Sequence, residues 1–85
     1  MKKTTRAKQR NIIGSRVRRA RLACKPPLLQ EDLAGRLAAQ GVVLDRSAIS
    51  RIENGDRYAM DYEAAAIAKA LKVSVAWLYG ENAKR

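Results

Sequence analysis

With 85 residues, 47% of them hydrophobic and neither Phe nor His among them, the chain has material for one modest core and none for a second domain. A single cysteine, Cys24, excludes an internal disulfide, and without histidine it cannot build a structural zinc site. The net charge of +10 sits in the first 25 residues, where Lys2, Lys3, Arg6, Lys8, Arg10, Arg16, Arg18, Arg19, Arg21 and Lys25 face no acid, while residues 26–85 hold eight basic and eight acidic side chains. Such a block repels itself and seeks a polyanion, nucleic acid first; a solvated tail is the other outcome for residues 1–8. No apolar run approaches the ~18 residues of a membrane span. No apolar segment follows the basic start as in a secretory signal. A cytoplasmic protein away from membranes is expected.

Ala and Leu dominate the apolar residues, which suits short packed helices better than a sheet. Residues 1–10 have no apolar periodicity and read as a flexible basic arm, 11–80 as one all-α domain of five helices, and 81–85 as a frayed tail. In the first helix Ile13, Val17, Ala20 and Cys24 recur at helical spacing with Ile12 and Leu22 on the same side, until Pro26-Pro27 stops it. A second begins near Leu29 or Gln30, with Glu31 and Asp32 complementing the dipole of its first turn and Leu33, Ala34, Leu37 and Ala38 inward, and closes at Gly41. Val42, Val43 and Leu44 are expected to tuck inward. Asp45 caps a third helix, Arg46 to about Asn54, that buries Ala48, Ile49 and Ile52 and ends at Asn54-Gly55. Asp61 is the expected cap of a fourth, carrying Tyr62, Ala65, Ala68 and Leu71. Ser74 caps a fifth, with Val75, Leu78 and Trp77 inward and Gly80 at its end.

The stretch LLQEDLAGRLAAQGVVLDRSAISRIENG, Leu28 to Gly55, is the most informative. Leu28, Gln30, Leu33 and Ala34, followed after a turn by Ser47, Ile49, Ser50, Ile52, Glu53, Asn54 and Gly55, resemble the helix-turn-helix signature of the phage-repressor/Cro (Xre-type) family. IIGSRVRRARLA resembles that family's first helix, and DYEAAAIAKALKVSVAWLYG its last two. The resemblance implies a lambda-repressor-like DNA-binding fold whose third helix enters the major groove. Carried over position by position, Arg46, Ser47, Ser50 and Arg51 face bases, and an arginine there can fork onto guanine O6 and N7. Gln30 and Asn54 match positions that contact phosphate, each otherwise an ordinary capping or surface residue, and Arg57 and Arg16 are expected on phosphate as well. Arg21 and Glu53 match a pair that family members join as a salt bridge beneath the DNA-facing surface; the other reading is two independent solvated charges.

Three positions depart from that pattern. Leu29 occupies the place of the usual Ser or Thr cap. The connection through Gln40 to Leu44 is longer than in short-turn members, either extending the second helix or widening the turn. Asp45 replaces a Ser/Thr cap with a charge that suits capping and repels phosphate.

With no imidazole, no metal ligand set and no Gly-rich phosphate loop, neither catalysis nor a cofactor is expected. The resemblance implies a repressor bound as a homodimer to a near-palindromic site on double-stranded DNA. The alternative is the antitoxin of a toxin–antitoxin pair, with a toxin protein as partner, although residues 81–85 offer little segment for it. A basic RNA-associated protein suits the arm and leaves the motif unexplained.

Overall fold

The computed structural model describes residues 9–81; Lys2, Lys3, Arg6 and Lys8 of the expected arm, and residues 82–85 of the tail, lie outside them. Among the described residues there are five helices: α1 (Gly14–Ala23), α2 (Gln30–Ala39), α3 (Arg46–Glu53), α4 (Asp61–Leu71) and α5 (Val75–Leu78). None is long and apolar enough to cross a membrane.

The helix ends follow from local chemistry. Asp45 accepts a hydrogen bond from the Ala48 N–H at 2.8 Å, and Ser74 one from the Trp77 N–H at 2.9 Å, so α3 and α5 begin on side-chain caps. Leu29 has no such group; instead the Asp32 carboxylate reaches back to the Leu29 N–H at 2.9 Å. Glu63 does the same for the Met60 N–H, so Asp61 is the first residue of α4 and not its cap. At the end of α2, Gly41 has φ +83° and the Val42 N–H reaches back to the Leu37 carbonyl at 3.0 Å. That left-handed closure, repeated at Gly55 (φ +79°) after α3, satisfies orphan carbonyls and turns the chain sharply. The residues Gln40 to Leu44 therefore widen the turn and do not lengthen α2.

Ile13 and Val17 of α1, Leu33 and Leu37 of α2, Ile49 and Ile52 of α3, Ile67 of α4 and Leu78 of α5 are the large side chains of the core. α3 packs on both α1 and α2, α2 also on α4, and α4 on α1 and α5. α1 comes so close to the end of α3 that a Cβ on Gly14 would stand 2.8 Å from the Glu53 carbonyl oxygen, tighter than contact allows. Asn11 fixes that approach. Its Oδ1 accepts from the N–H groups of Ile13 and Gly14, and its Nδ2 donates to the carbonyls of Ile52 and Arg57. Arg10 is tied to the fold: its N–H donates to the Gly55 carbonyl at 2.9 Å and its guanidinium lies over the Tyr58 ring.

Several inward assignments fail for identifiable reasons. Ile12 and Leu22 flank the buried stripe of α1 and are exposed. In the extended run after Gly41 sides alternate, so Leu44 is buried and Val43 is 88% exposed. Ala38 and Val75 also face out, since α2 and α5 bury narrower faces than expected. On α4, Tyr62 and Ala65 are exposed while Ala64, Ile67, Ala68 and Leu71 are buried. A three-residue repeat drifts by about 60° per step around a 3.6-residue helix, so Tyr62 and Leu71 stand on opposite sides.

Two ion pairs tie helices to their neighbours. Arg21 of α1 meets Glu53 of α3 in a two-pronged pair, Nε to Oε2 at 2.7 Å and Nη2 to Oε1 at 2.9 Å, with Nη1 donating to the Leu28 carbonyl at 2.7 Å. The side chains are 9% and 3% exposed. The Glu53 hydrogen bonds raise the Arg21 pKa against the opposing pull of burial. Arg57 binds Glu63, Nη1 to Oε1 at 2.9 Å, holding the loop after α3 to the start of α4. Burial pushes the Glu63 carboxyl up, but the hydrogen bonds from Arg57 and the Met60 N–H, with the guanidinium charge, outweigh it and hold it below its ordinary value.

Alanine at either Arg21 or Glu53 leaves a buried charge without its partner, and each single variant should lose about 3–5 kcal/mol in denaturant unfolding, with the double variant losing less than their sum. Losses under about 0.5 kcal/mol would mark the pair as energetically exposed. Because the folded Glu63 pKa is depressed, its contribution is present above the unfolded value and disappears as pH falls through the folded one. Glu63→Gln should therefore cost about 1–2 kcal/mol at pH 7 and progressively less as pH falls below the ordinary carboxylate range, as read from melting curves across pH. A pH-independent difference would contradict this.

Candidate nucleic-acid interface

α3 divides cleanly. Ile49 and Ile52 face the core, whereas Arg46, Ser47 and Arg51 are exposed and Ser50 is half-buried. Positions at i, i+1, i+4 and i+5 form one strip along a helix, so these four side chains share the outer face. Gln30, at the start of α2, joins Asp45, Arg46, Ser47 and Ser50 in lining one open concavity. Gln30 and Arg46 also border a second hollow with Arg21, Leu29 and Glu31. Neither ion pair among the described residues engages Arg46 or Arg51. The face thus presents two guanidinium groups, two hydroxyls and an amide, with Gln30, Arg46 and Ser47 at the N-terminal ends of α2 and α3 and Arg51 in the last turn of α3, an arrangement of donors suited to an anionic, acceptor-rich partner.

Gln30 is held from behind. Its Nε2 donates to Glu53 Oε1 at 3.1 Å, the oxygen that also accepts from Arg21, which leaves the second amide N–H for another acceptor. One carboxylate thereby fixes an arginine of α1 and a glutamine of α2 against the back of α3. Asn54 is exposed at the C-terminal end of α3, with its backbone N–H bonded to the Ser50 carbonyl.

Arg57 and Arg16, expected on phosphate, also have partners within the fold. Arg57 is bound to Glu63 and to the Tyr58 carbonyl, because a buried carboxylate at the start of α4 requires a counter-charge. Arg16 donates to the Trp77 carbonyl at 3.1 Å, with its guanidinium 4.7 Å from the centre of the Trp77 ring and Arg19 near the same ring. It links α1 to α5 and is not among the residues that line the concavity with Gln30 and Ser50. Asn11 and Glu63 were not identified from sequence as organising residues. An Asn ahead of the first helical periodicity is a cap signal that could have found Asn11. Arg57 and Glu63 are six residues apart across a loop, and no periodicity connects them.

A profile of the helix-turn-helix family matches residues 28–78, from the residue before Leu29 through α5. The fold is similar to that of the P22 c2 repressor protein, solved in complex with synthetic operator 9T in the presence of Tl+, at 27% identity and a TM-score of 0.65 over 82% of this chain and 96% of that one. No curated protein sequence matches the chain. With a family match over more than half its length and a repressor fold around it, this chain belongs to the helix-turn-helix family, in its phage-repressor/Cro (Xre) branch.

Proposed function

We propose that the chain is a sequence-specific regulator of transcription, a cytoplasmic repressor that binds a near-palindromic operator on double-stranded DNA as a homodimer. The observation that carries this reading is the strip Arg46, Ser47, Ser50 and Arg51 on a helix whose opposite face is anchored in the core. A helix of this kind fits the major groove, where its side chains meet base edges. Arg46 and Arg51 take guanine, and Ser47 and Ser50 contribute less selective hydrogen bonds. Gln30 and Asn54, at either end of the motif, contact phosphate and set the register. Arg57 and Arg16 serve structural roles first, and the basic side chains of the first ten residues supply the remaining phosphate neutralisation. The P22 c2 repressor, similar in fold, was solved on an operator. Val75 of α5 and Tyr79 just after it, both exposed and four residues apart, support a second copy as the partner at that surface.

Binding assays test this directly. About five or six phosphates neutralised per subunit should make log K fall against log salt with a slope of about −4 to −5 per subunit. On a selected duplex, Arg51→Ala should cost about 1–3 kcal/mol and relax preference at one base position, whereas Gln30→Ala should weaken all duplexes evenly. Tight binding with a slope near zero contradicts the DNA reading, and an unchanged base preference in Arg51→Ala contradicts the assignment of contacts.

A further inference from the structure

Asp45 stands out on the proposed DNA-facing surface because it carries the same sign of charge as the phosphates that surface would attract. One carboxylate oxygen caps α3 by accepting from the Ala48 N–H at 2.8 Å. The residue is exposed and lines the same concavity as Gln30, Arg46, Ser47 and Ser50. Among the described residues neither ion pair uses it. Its other oxygen is therefore an acceptor beside the side chains assigned to bases, and an ionised carboxylate has nothing to donate.

Resting on the DNA reading above, we propose that Asp45 is a specificity-determining residue that takes the exocyclic amino group of a cytosine in the major groove. Only two donors are displayed there, cytosine N4 and adenine N6. Adenine N6 stands next to the N7 acceptor, which faces a carboxylate with like polarity; cytosine N4 has a C–H as its neighbour. Guanine and thymine edges offer acceptors and are repelled. Phosphate is repelled as well, so Asp45 cancels part of the attraction that the N-terminus of α3 would exert on any duplex. The residue raises specificity twice, by attracting one base and by penalising indiscriminate backbone contact.

The test uses the full chain as wild type, Asp45→Asn and Asp45→Ser, each passed through selection from a random duplex pool and then titrated onto the selected and a random duplex. Asn and Ser are good helix caps, and circular dichroism melting of both variants verifies that the fold persists. Wild type should select cytosine at one position of the half-site. Asp45→Ser should lose that preference, and Asp45→Asn should move it toward adenine, which an amide pairs in two-pronged fashion. At that position discrimination should fall about five- to tenfold, while both variants bind random duplex more tightly. If the variants retain the wild-type cytosine preference, or bind random duplex more weakly, the role of Asp45 is overturned while the DNA reading stands. A wild-type chain that selects no sequence overturns both.

Discussion

A carboxylate on the inner side of α3 organises the protein. Glu53 is almost fully removed from water, and a charge in that position is tolerated only with its hydrogen bonds satisfied. Arg21 from α1 and Gln30 from α2 meet that requirement together. Because both partners sit on different helices, satisfying Glu53 fixes the angle of α3 relative to each of them. Ile49 and Ile52 hold the helix down by burial, which is non-directional; the hydrogen-bonded network sets its rotation. A helix that reads bases must be held in this way, since small errors in the scaffold become large errors at the tips of its side chains.

The same economy recurs at the helix ends. Arg36 of α2 donates to the Ala70 carbonyl at the end of α4, and Arg16 of α1 to the Trp77 carbonyl near the end of α5. Each places a positive charge where a helix dipole is negative and joins two elements at once. Gln40, just after α2, reaches the Ala66 carbonyl in the middle of α4. In a domain with few aromatic side chains, such polar ties supplement a core built from Ile, Leu, Val and Ala. They also occupy basic residues, so that positive charge in the sequence is a poor guide to which arginines remain for a partner. Arg46 and Arg51 remain, since neither ion pair among the described residues engages them.

Much of this was legible in the chain. Caps and stops are local, so Asp45, Ser74, Gly41 and Gly55 marked helix boundaries without tertiary information. The alternation of Ile49 and Ile52 with Arg46, Ser47 and Arg51 gave the two faces of α3 for the same reason. Where local contrast was weak, the reading failed. α4 is rich in alanine, and small side chains carry little signal about which side is buried. Val43 and Leu44 have nearly the same character, and only the docking of the widened turn decides that Leu44 enters the core. The Arg57–Glu63 pair and the two bonds from Asn11 to the Ile52 and Arg57 carbonyls depend on contacts across loops, which no spacing rule encodes.

The central claim, that the outer strip of α3 and the start of α2 form the DNA-binding face, is tested most directly by titrating the isotope-labelled chain with a selected duplex and following its backbone amides by NMR. The largest perturbations should fall on Gln30, on Asp45 through Arg51 and on Asn54, with Val75 and Tyr79 changing little once the oligomeric state is constant. Perturbations centred on α5 and the Trp77 surface, with α3 unaffected, would contradict it.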